Sequence, residues 1–381
     1  MSANNNVLVF IDWYLPGYRG GGPIRSVSNM LGKLKSHFNF SVITRDVDYC
    51  HPVSYANVNS DAWTESPDGF RCYYFSPKKL GLFKLIKLAR EQDGDVFYVN
   101  GLYSFYFSIV PLLISRLFNY PSVVAPRGML STGSMGTRYY RKRIYLVLAR
   151  YLGLFKNTVF HATSKQEVED IKLHFGSSVN IKYAPNLPGD LVEAKCKSSK
   201  SKGKIKLVSI ARVSPEKNIA FGLEVLKEVK GQVELDLYGS VYDESYWKKC
   251  LSIMDNLPNN ICVNYRDSIE PGKIRETLLG GDFLLLPSTG ENFGHIIFES
   301  FAVGTPVIIS DQTPWKELDK LNIGWEISLT EKEKFINTIE YTIGMSDVEY
   351  SEMSKNAINY AVEFTDNPMS VKLIHDIFEL S

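Results

Sequence analysis

The residues best suited to chemistry in this sequence lie in one stretch of its second half, LLLPSTGENFGHIIFESFAVGTPVIIS (284–310). It contains two carboxylates, with Glu291 at the entrance of a predicted helix and Glu299 eight positions later. We predict the helix from about Phe293 to Val303, which places the two carboxylates roughly 12 Å apart along its axis. That distance is about the span from the ribose to the sugar of a nucleotide sugar.

The start of the same helix offers hydrogen-bond donors. Backbone N–H groups near Asn292, Phe293 and Gly294 have no partner within a helix, so they can bind a diphosphate or a sugar. The alternative is that Glu291 caps the helix and Glu299 is an ordinary polar residue. Glu299 stands among apolar residues, however, where an unpaired carboxylate is costly, so we expect it to have a partner.

Two cations follow a predicted strand, KLVSIAR (206–212). Arg212 ends the strand and Lys217 comes five residues later. An arginine fork and a lysine point charge at the end of a strand can grip a diphosphate. A solvated turn is the other interpretation of this segment.

A glycine-rich loop follows the first predicted strand, and a helix begins near Pro23. Gly20, Gly21 and Gly22 let the backbone approach a ligand closely, and Arg25 adds a side-chain donor to the helix start. The spacing matches neither the dinucleotide-binding nor the P-loop pattern, so neither a dinucleotide cofactor nor ATP hydrolysis is supported. A plain strand-to-helix turn would give the same glycines.

The elements that position these residues alternate between short apolar runs and longer helical patterns, which indicates βαβ units and parallel sheets. We predict strands at 7–11, 40–44, 72–76, 95–100, 122–126, 158–163, 206–212, 233–239, 262–265, 282–288 and 306–310. A Lys/Ser/Gly-rich segment separates the two series and is typical of a linker. The predicted organisation is a first domain at 1–190, a linker at 191–204, a second domain at 205–362 and a C-terminal helix at 363–381. Two such α/β domains would face a cleft, with ligands outside the carboxyl ends of the strands.

Composition excludes several classes of protein. The chain has 381 residues, of which 44% are hydrophobic and 22% charged, as in an ordinary globular protein rather than a disordered or fibrous one. Its five cysteines form no C-x-x-C pair, so neither a disulfide framework nor a zinc site is implied. We therefore expect a reducing, cytoplasmic compartment. We expect neither a signal peptide, since the first residues lack its pattern, nor a membrane span, since the longest apolar run is too short.

The net charge of +1 conceals an asymmetry. Residues 1–185 contain 22 Lys and Arg against 12 Asp and Glu, so the first half is basic and the second acidic. The excess is concentrated at 78–90 and 137–156, where cations alternate with apolar residues. Such basic amphipathic helices suit an anionic membrane surface. Ordinary helices with solvated Lys and Arg would give the same sequence pattern. Nucleic acid is disfavoured because no binding module is recognisable.

Three of these segments together carry a resemblance to a known family. ENFGHIIFESFAVGTPVI resembles the signature of the retaining GT-B glycosyltransferases of family 4, whose two glutamates are separated by seven residues. SIARVSPEKN is similar to the family's donor-diphosphate motif, and GYRGGGPIR to its acceptor-side loop. The resemblance extends from Val7 to about Ser310 and implies the GT-B fold, with two Rossmann-like domains.

The resemblance also implies roles and a reaction. Glu299 would hold the donor ribose, Glu291 would contact the transferred sugar, and Arg212 with Lys217 would neutralise the leaving diphosphate. A hexose-type sugar would pass with retention to a hydroxyl of a growing glycan, on a polyprenyl-diphosphate lipid, in bacterial surface-polysaccharide assembly. The family needs no metal, so we expect none and interpret the D-x-D at Asp46 as part of a loop.

The first domain departs from the family pattern at one place. Many members carry a histidine after the fifth strand, whereas this chain reads APRGMLSTGS with Arg127 there. We assign Arg127 to the acceptor side, together with the glycine-rich loop. His161 is a further acceptor-side candidate, although Ser164 and Glu167 form a helix-capping pattern beside it that favours a structural role.

Two other functions remain open at this point. A phosphorylase or epimerase can share the same scaffold, but phosphorylases of this architecture need a lysine-held pyridoxal phosphate, for which no site is recognisable. A non-catalytic scaffold could bind a lipid-linked glycan or a membrane surface. It would have no need of Glu291, Glu299, Arg212 and Lys217 together, so their co-occurrence favours the transferase.

Overall fold

The computed structural model describes residues 6–91, 94–131, 139–191, 200 and 203–380. The predicted linker lies mostly outside these residues. The chain divides into two compact units, the first comprising Met1–Gly189 with Asn367–Ser381 and the second Asp190–Asp366.

An eight-stranded sheet forms the centre of the described part of the first unit. Its strands are β1 Asn6–Phe10, β2 Asn39–Arg45, β3 Trp63–Glu65, β4 Arg71–Phe75, β5 Val96–Asn100, β6 Ser122–Ala125, β7 Thr158–Ala162 and β8 Asn180–Tyr183. The spatial order is β3-β4-β2-β1-β5-β6-β7-β8. Every pairing is parallel except that of β3 with β4. The inner strands are buried on both faces, which explains their continuous apolar sequences.

Helices cover both faces of this sheet. They are α1 Gly22–Leu34, α2 Leu82–Glu91, α3 Val110–Phe118, α4 Tyr139–Tyr151, α5 Lys165–Phe175 and, from the end of the chain, α12 Pro368–Asp376. Apolar residues of α1 and α12 pack on one face. Residues of α2, α3, α4 and α5 pack on the other and therefore form a single helical layer.

The second unit repeats this architecture with a six-stranded parallel sheet. Its strands are β9 Lys204–Ile210, β10 Gln232–Tyr238, β11 Ile261–Tyr265, β12 Phe283–Leu286, β13 Val307–Ser310 and β14 Gly324–Ile327. The spatial order is β11-β10-β9-β12-β13-β14, so β9 and β12 are neighbours and the chain changes direction across the sheet between them. Ligands of open α/β sheets bind at such switch points.

Helices again lie on both faces of the second sheet. They are α6 Ile219–Leu226, α7 Glu244–Met254, α8 Pro271–Gly280, α9 His295–Ala302, α10 Lys332–Gly344 and α11 Asp347–Thr365. One core joins β9 and β10 to α6, α7 and α10, and another joins β12 and β13 to α8 and α9. In the part of the chain that the structure describes, no helix is both long and apolar enough to span a bilayer.

The predicted α/β class with two doubly wound units is confirmed, and each predicted strand corresponds to an observed one. Three strands were not predicted: β3, β8 and β14. They are three or four residues long and lie at sheet edges. Most of their residues are partly buried or exposed, so these three strands lack the continuous apolar pattern of the inner strands.

Candidate functional site

The carboxyl ends of β9 and β12 bring the predicted cations and the first glutamate together in the second unit. Arg212 lies in the loop after β9, and Glu291 lies in the loop after β12. Lys217 belongs to a single turn of 3₁₀-helix that follows β9. The N–H and the hydroxyl of Thr289 both donate to the carbonyl of Glu216, at 2.8 and 3.2 Å. These hydrogen bonds hold the two loops against each other.

An ion pair between Lys217 and Glu291 lies at the centre of this region. The Nζ atom of Lys217 is 2.6 Å from Oε1 of Glu291, and the side chains are only 18% and 11% exposed. The hydroxyl of Ser288 donates to the same oxygen at 2.8 Å. The N–H of Glu291 donates to the carbonyl of Gln312 at 3.0 Å, which fixes the backbone of this residue as well. Lys217 and Glu291 therefore form one preorganised unit, although 74 positions separate them.

Arg212 has a different environment. Its guanidinium carbon lies 5.3 Å from the centre of the Tyr242 ring, in a cation–π contact. Within the described residues, no carboxylate forms an ion pair with Arg212 and no acceptor receives a hydrogen bond from its side chain. The five N–H donors of this fixed fork are therefore available to an anion.

The helix that carries Glu299 begins later than the sequence pattern predicts. It starts at His295 rather than near Phe293, because Gly294 adopts a left-handed conformation with φ of 72°. Phe293 is 5% exposed and belongs to an aromatic cluster, so its burial reflects loop packing and not a helical face. Glu291 consequently lies in the loop, and the spacing of the two glutamates does not measure a distance along one helix axis.

The loop immediately before α9 presents donors without acceptors. Among the described residues, none accepts a hydrogen bond from the backbone N–H of Asn292, Phe293 or Gly294. The side-chain Nδ2 of Asn292 is buried and has no hydrogen-bond partner there either. Because a buried donor without an acceptor is costly, this segment fits a ligand or solvent that supplies acceptor oxygens.

Glu299 lies in the middle of α9 and is half-buried. Its neighbours Phe298 and Phe301 are 3% and 0% exposed and fix the helix in the core. Residues four apart lie on one face of a helix, so Glu299 shares the face of His295, the first residue of α9. The carboxylate of Glu299 therefore lies on the same face of α9 as the residue at the N-terminal end of this helix.

The glycine-rich loop of the first unit leads into α1 near the predicted residue. The helix begins at Gly22 with Pro23 in its first turn, and Gly21 precedes it with φ of 74°. A Cβ atom on Gly21 would meet no atom within 4 Å, so the backbone there is open to approach. Gly20 precedes this position in the loop, and Arg25 is half-buried in the first turn of the helix.

The D-x-D segment braces this loop. The carboxylate of Asp48 accepts hydrogen bonds from the N–H groups of Tyr18 and Arg19, at 2.9 and 3.1 Å. Asp46 accepts hydrogen bonds from two serine hydroxyls, at 3.0 and 2.6 Å. The two aspartates therefore fix loop backbone and neighbouring side chains.

Arg127 requires a partial correction. The sequence assigns it to the acceptor side, but its guanidinium is directed into the first unit. Its Nε donates to Asn100 at 2.9 Å, one terminal nitrogen donates to Tyr98 at 2.8 Å, and the other donates to Asn186. Three partners thus occupy the fork, and the residue takes a left-handed φ of 55° to reach them. Arg127 therefore fixes the carboxyl ends of the strands, while two of its five N–H donors have no partner among the described residues.

His161 also requires a correction. The side chain of His161 is 0% exposed, so its ring cannot contact an acceptor substrate. The Nε2 atom lies 2.9 Å from the carbonyl oxygen of Ala184, to which it must donate, and Nδ1 accepts from the hydroxyl of Tyr98 at 2.9 Å. Burial, together with the charge of Arg127, lowers the pKa of His161 to about 3. The neutral ring is a structural link between strands.

Sequence reasoning missed a polar cluster at the carboxyl end of β1. Asp12 accepts hydrogen bonds from Ser104 at 2.8 Å and from Arg45 at 3.2 and 3.3 Å. Burial raises the pKa of Asp12, while Ser104 and Arg45 act in the opposite direction. The position of a carboxylate directly after a predicted strand was the signal that could have identified it.

The second unit matches a known family. Residues 193–363 match the family model described as Glycosyl transferases group 1. The matched segment includes Arg212, Lys217, Glu291 and Glu299, and it spans almost all of the second unit. The match supports a glycosyltransferase. No curated protein matches the chain.

Several solved structures are similar over the whole chain. HepE of Anabaena, in complex with UDP and glucose, has 16% identity and a TM-score of 0.71, with 98% of each chain covered. Sucrose-phosphate synthase of Thermosynechococcus elongatus has 14% identity and a TM-score of 0.73, with coverage of 99% of this chain and 98% of that one. WaaG, a glycosyltransferase involved in lipopolysaccharide biosynthesis, has 14% identity and a TM-score of 0.67, with 98% and 99% covered. At these identities the likeness is one of fold, and the predicted GT-B fold is confirmed.

Proposed function

We propose that this protein is a retaining glycosyltransferase that moves a hexose-type sugar from a nucleotide diphosphate to a hydroxyl of a growing, lipid-linked glycan in bacterial surface-polysaccharide biosynthesis. The observation that carries the proposal is the set of donors around Asn292, Phe293 and Gly294, next to the Lys217–Glu291 pair. The family match of the second unit supports it. UDP is the proposed nucleotide, because HepE, which shares the fold, was solved with UDP and with UDP-glucose.

The diphosphate is the part of the donor that the site is best equipped to bind. Arg212 offers a free guanidinium fork, and the N–H groups before α9 supply further donors. Lys217 can leave Glu291 and follow the phosphate charge as the bond to the sugar breaks. Donors that are fixed where negative charge develops stabilise a transition state without reorganisation. We propose that these groups neutralise the leaving diphosphate without a metal ion.

The carboxylates suit the two sugars of such a donor. Glu291 lies beside the groups that we propose bind the diphosphate, and it can accept hydrogen bonds from hydroxyls of the transferred sugar. Glu299, on the helix that begins there, can accept from the ribose hydroxyls. We propose that the bond from the anomeric carbon to the diphosphate breaks on the face where the acceptor oxygen bonds. The acceptor proton passes to the leaving phosphate oxygen.

The test is a transfer assay with UDP-glucose and octyl glycoside acceptors, with the product anomer read by NMR. Retention of configuration is the expected result, whereas an inverted anomer would contradict the mechanism. Arg212→Ala should lower kcat/KM by about 10- to 100-fold, the effect of losing a charged hydrogen-bond partner. Arg90→Ala is the matched control, since Arg90 is exposed in the first unit and its guanidinium carbon lies 5.1 Å from the centre of the Phe118 ring, a cation–π contact like that of Arg212. Equal activity of the two variants would remove Arg212 from the site.

We also propose that the first unit contacts an anionic membrane at the inner face of the cell. Between Asp95 and Glu167 the sequence contains nine Lys and Arg and no Asp or Glu. Helix α4 lies in this segment and buries Leu146 and Ala149 against the sheet. It therefore carries a strongly cationic surface with no acidic residue on it.

The outer face of α4 is apolar as well as cationic. Positions spaced by four, three, one and three fall on one helical face, so they form a continuous stripe. The stripe consists of Tyr140, Ile144, Val147, Leu148 and Tyr151, with exposed fractions between 52% and 86%. Helices α2 and α3, which lie in the same layer, add Phe83 at 86% and Leu117 at 74%. An apolar stripe bordered by cations is the surface that inserts into a headgroup region.

A bilayer suits this face better than a second copy of the chain. Arg141, Arg143 and Arg150 are exposed beside the stripe. A symmetric dimer on α4 would bring these cations near their own copies, because residues 139–157 contain no acidic side chain to pair with them. Anionic lipid headgroups would neutralise them, at about 1 kcal/mol for each cation near the surface.

Vesicle sedimentation tests this part of the proposal. The full chain should bind phosphatidylcholine vesicles that contain phosphatidylglycerol and not vesicles of phosphatidylcholine alone. The double variant Ile144→Ser, Val147→Ser should lose binding, while Val348→Ser should retain it, since Val348 is 77% exposed in the second unit. Sedimentation that is unchanged in the double variant, or gel filtration that shows a dimer abolished by it, would contradict the membrane surface.

A further inference from the structure

A carboxylate is held at the carboxyl edge of the first sheet by one group from a neighbouring strand and one from a loop. Asp12 comes two residues after β1. Arg45, the last residue of β2, donates to it from Nε and one terminal nitrogen, at 3.3 and 3.2 Å. Ser104, which follows β5, donates at 2.8 Å. The side chain of Asp12 is 18% exposed, so it is recessed without being sealed.

All of these contacts use one oxygen of the carboxylate. Arg45 and Ser104 both donate their hydrogen bonds to Oδ1. Within the described ranges, no donor reaches Oδ2, and this oxygen is not buried. Oδ2 is therefore a solvent-accessible acceptor on a carboxylate whose orientation is fixed.

The partner of Asp12 is also fixed. The guanidinium of Arg45 lies 4.9 Å from the centre of the Phe107 ring. Its backbone N–H donates to the carbonyl of Asp12 at 3.3 Å. The hydroxyl of Thr44 donates to the same carbonyl at 3.2 Å. The backbone and Oδ1 of Asp12 are thus held on several sides, which keeps Oδ2 aimed in one direction.

Asp12 stands next to the glycine-rich loop. Trp13 follows it directly, and a Cβ atom on Gly20 would lie 3.5 Å from Cβ of Trp13, so the loop packs against this residue. The ring of Trp13 meets Tyr49 edge-on, with centroids 4.7 Å apart. An open acceptor beside half-buried aromatic rings, at the carboxyl end of parallel strands, is where an open α/β sheet binds a polar ligand.

We infer that Asp12 accepts a hydrogen bond from a hydroxyl of the acceptor glycan, and that Arg45 and Ser104 are positioning residues that aim its free oxygen. This inference rests on the proposed function and names a substrate contact in the first unit. The chemistry is that of a sugar or polyol hydroxyl, which donates to a charged acceptor. A negatively charged acceptor group at this position would be repelled.

Asp12→Asn is the decisive variant because it changes little else. The amide oxygen still accepts from Ser104 and Arg45, but the open position now carries an N–H₂ donor in place of an acceptor. The best octyl glycoside acceptor should show a KM raised by about 10- to 100-fold, the effect of losing a charged hydrogen bond. UDP affinity measured by calorimetry should not change. Asp95→Asn is the matched control, since Asp95 is exposed at the opposite edge of the same sheet.

The readouts separate this inference from the proposed function. If the wild-type protein binds none of UDP, GDP and ADP, the proposed function fails. Saturation-transfer NMR with octyl glucoside, galactoside and mannoside, without nucleotide, tests the inference alone. A glycoside bound by the wild type and by Asp95→Asn but lost in Asp12→Asn supports it. A wild-type KM in Asp12→Asn, equal glycoside binding by all three proteins, or no glycoside binding by the wild type would overturn it.

The positioning role of Ser104 has its own readout. Ser104→Ala removes one of the donors that oppose the effect of burial, so the pKa of Asp12 should rise further. When the pH is lowered, glycoside binding should therefore weaken at a higher pH in Ser104→Ala than in the wild type. The reason is that a protonated carboxyl accepts a hydrogen bond less strongly than a carboxylate. A purely structural serine would change the melting temperature without shifting this pH profile.

Discussion

Replacement of Glu291 by Gln should separate UDP binding from sugar transfer. In the structure, the ammonium of Lys217 is committed to Oε1 of Glu291 at 2.6 Å, in surroundings where both side chains are largely buried. A diphosphate that takes Lys217 must compete with this carboxylate and is repelled by it. The glutamine side chain keeps the shape and one acceptor oxygen but removes the charge.

The magnitude follows from the electrostatics of the pair. Opposite charges about 4 Å apart attract by about 4 kcal/mol at an effective dielectric constant of 20. Most of this is offset because Gln still accepts from Lys217 and because both groups regain hydration. A net gain of about 1 kcal/mol should remain for a competing diphosphate, which makes UDP binding about fivefold tighter. Transfer from UDP-glucose should fall by about 10- to 100-fold, since the charged acceptor for the sugar hydroxyls is lost.

Calorimetric titration of UDP and initial transfer rates measure the two effects. Glu216→Gln is the control, because Glu216 is exposed beside Lys217 and its loss changes the net charge equally. The Lys217→Ala variant should lose most of the gain when it is combined with Glu291→Gln. UDP binding that is weaker or unchanged in Glu291→Gln would refute the reasoning, because Lys217 would then not be the group for which the diphosphate competes.

Three further predictions concern two glycines of the second unit and the buried histidine of the first. Gly239→Ala should lower the free energy of unfolding by more than about 3 kcal/mol in urea titrations, because φ is 151° and the new Cβ would lie 1.8 Å from the carbonyl oxygen of Ala211; wild-type stability would contradict this. Gly294→Ala should cost about 1 to 2 kcal/mol at φ of 72° and weaken UDP binding, since its Cβ would lie 2.8 Å from Ile297; unchanged calorimetry would argue against the loop as a donor site. The pKa of His161 is about 3 in the folded protein, whereas it is 6.5 for an ordinary histidine, as in the unfolded chain. Stability should therefore fall as the pH drops below 6.5, by up to about 1.4 kcal/mol per unit, and His161→Gln should lose this part of the slope.

The sequence predicts the inner strands well because their physics is local. Strands buried on both faces have continuous apolar sequences, as in β1, β5 and β12. The edge strand β3 is only Trp63–Glu65 and forms because β4 offers an open edge. No short-range pattern marks such a strand, so its prediction would have required the tertiary structure.

The candidate site was predictable in position but not in its contacts. Loops that follow a strand lie at the carboxyl edge of the sheet, so the sequence alone predicted that Arg212 and Lys217 lie at this edge. The pairing of Lys217 with Glu291 depends on β9 and β12 being neighbours, which sequence spacing does not reveal. The start of α9 was misjudged because Phe293 is as apolar as a helix core position, while the left-handed Gly294 sets the boundary.

The first unit shows the limits of such reasoning more clearly. Arg127 and His161 both lie at strand ends, as ligand-binding residues often do. Their environments are decided by partners from other strands, chiefly Tyr98, which accepts from Arg127 and donates to His161. Asp12 has the same kind of position but keeps one oxygen open. Only coordinates show how many of a polar residue's donors and acceptors are already engaged within the protein.

The most direct test of the central claim is calorimetric titration of UDP, GDP and ADP into the full chain and into its Glu299→Ala variant. The account predicts micromolar binding of one nucleotide, expected to be UDP, and its loss in the variant, because the ribose would lose a charged acceptor on α9. Absence of binding by all three nucleotides to the folded wild-type protein would contradict the donor site and favour a non-catalytic scaffold. Equal binding by the variant would show that Glu299 does not hold the donor.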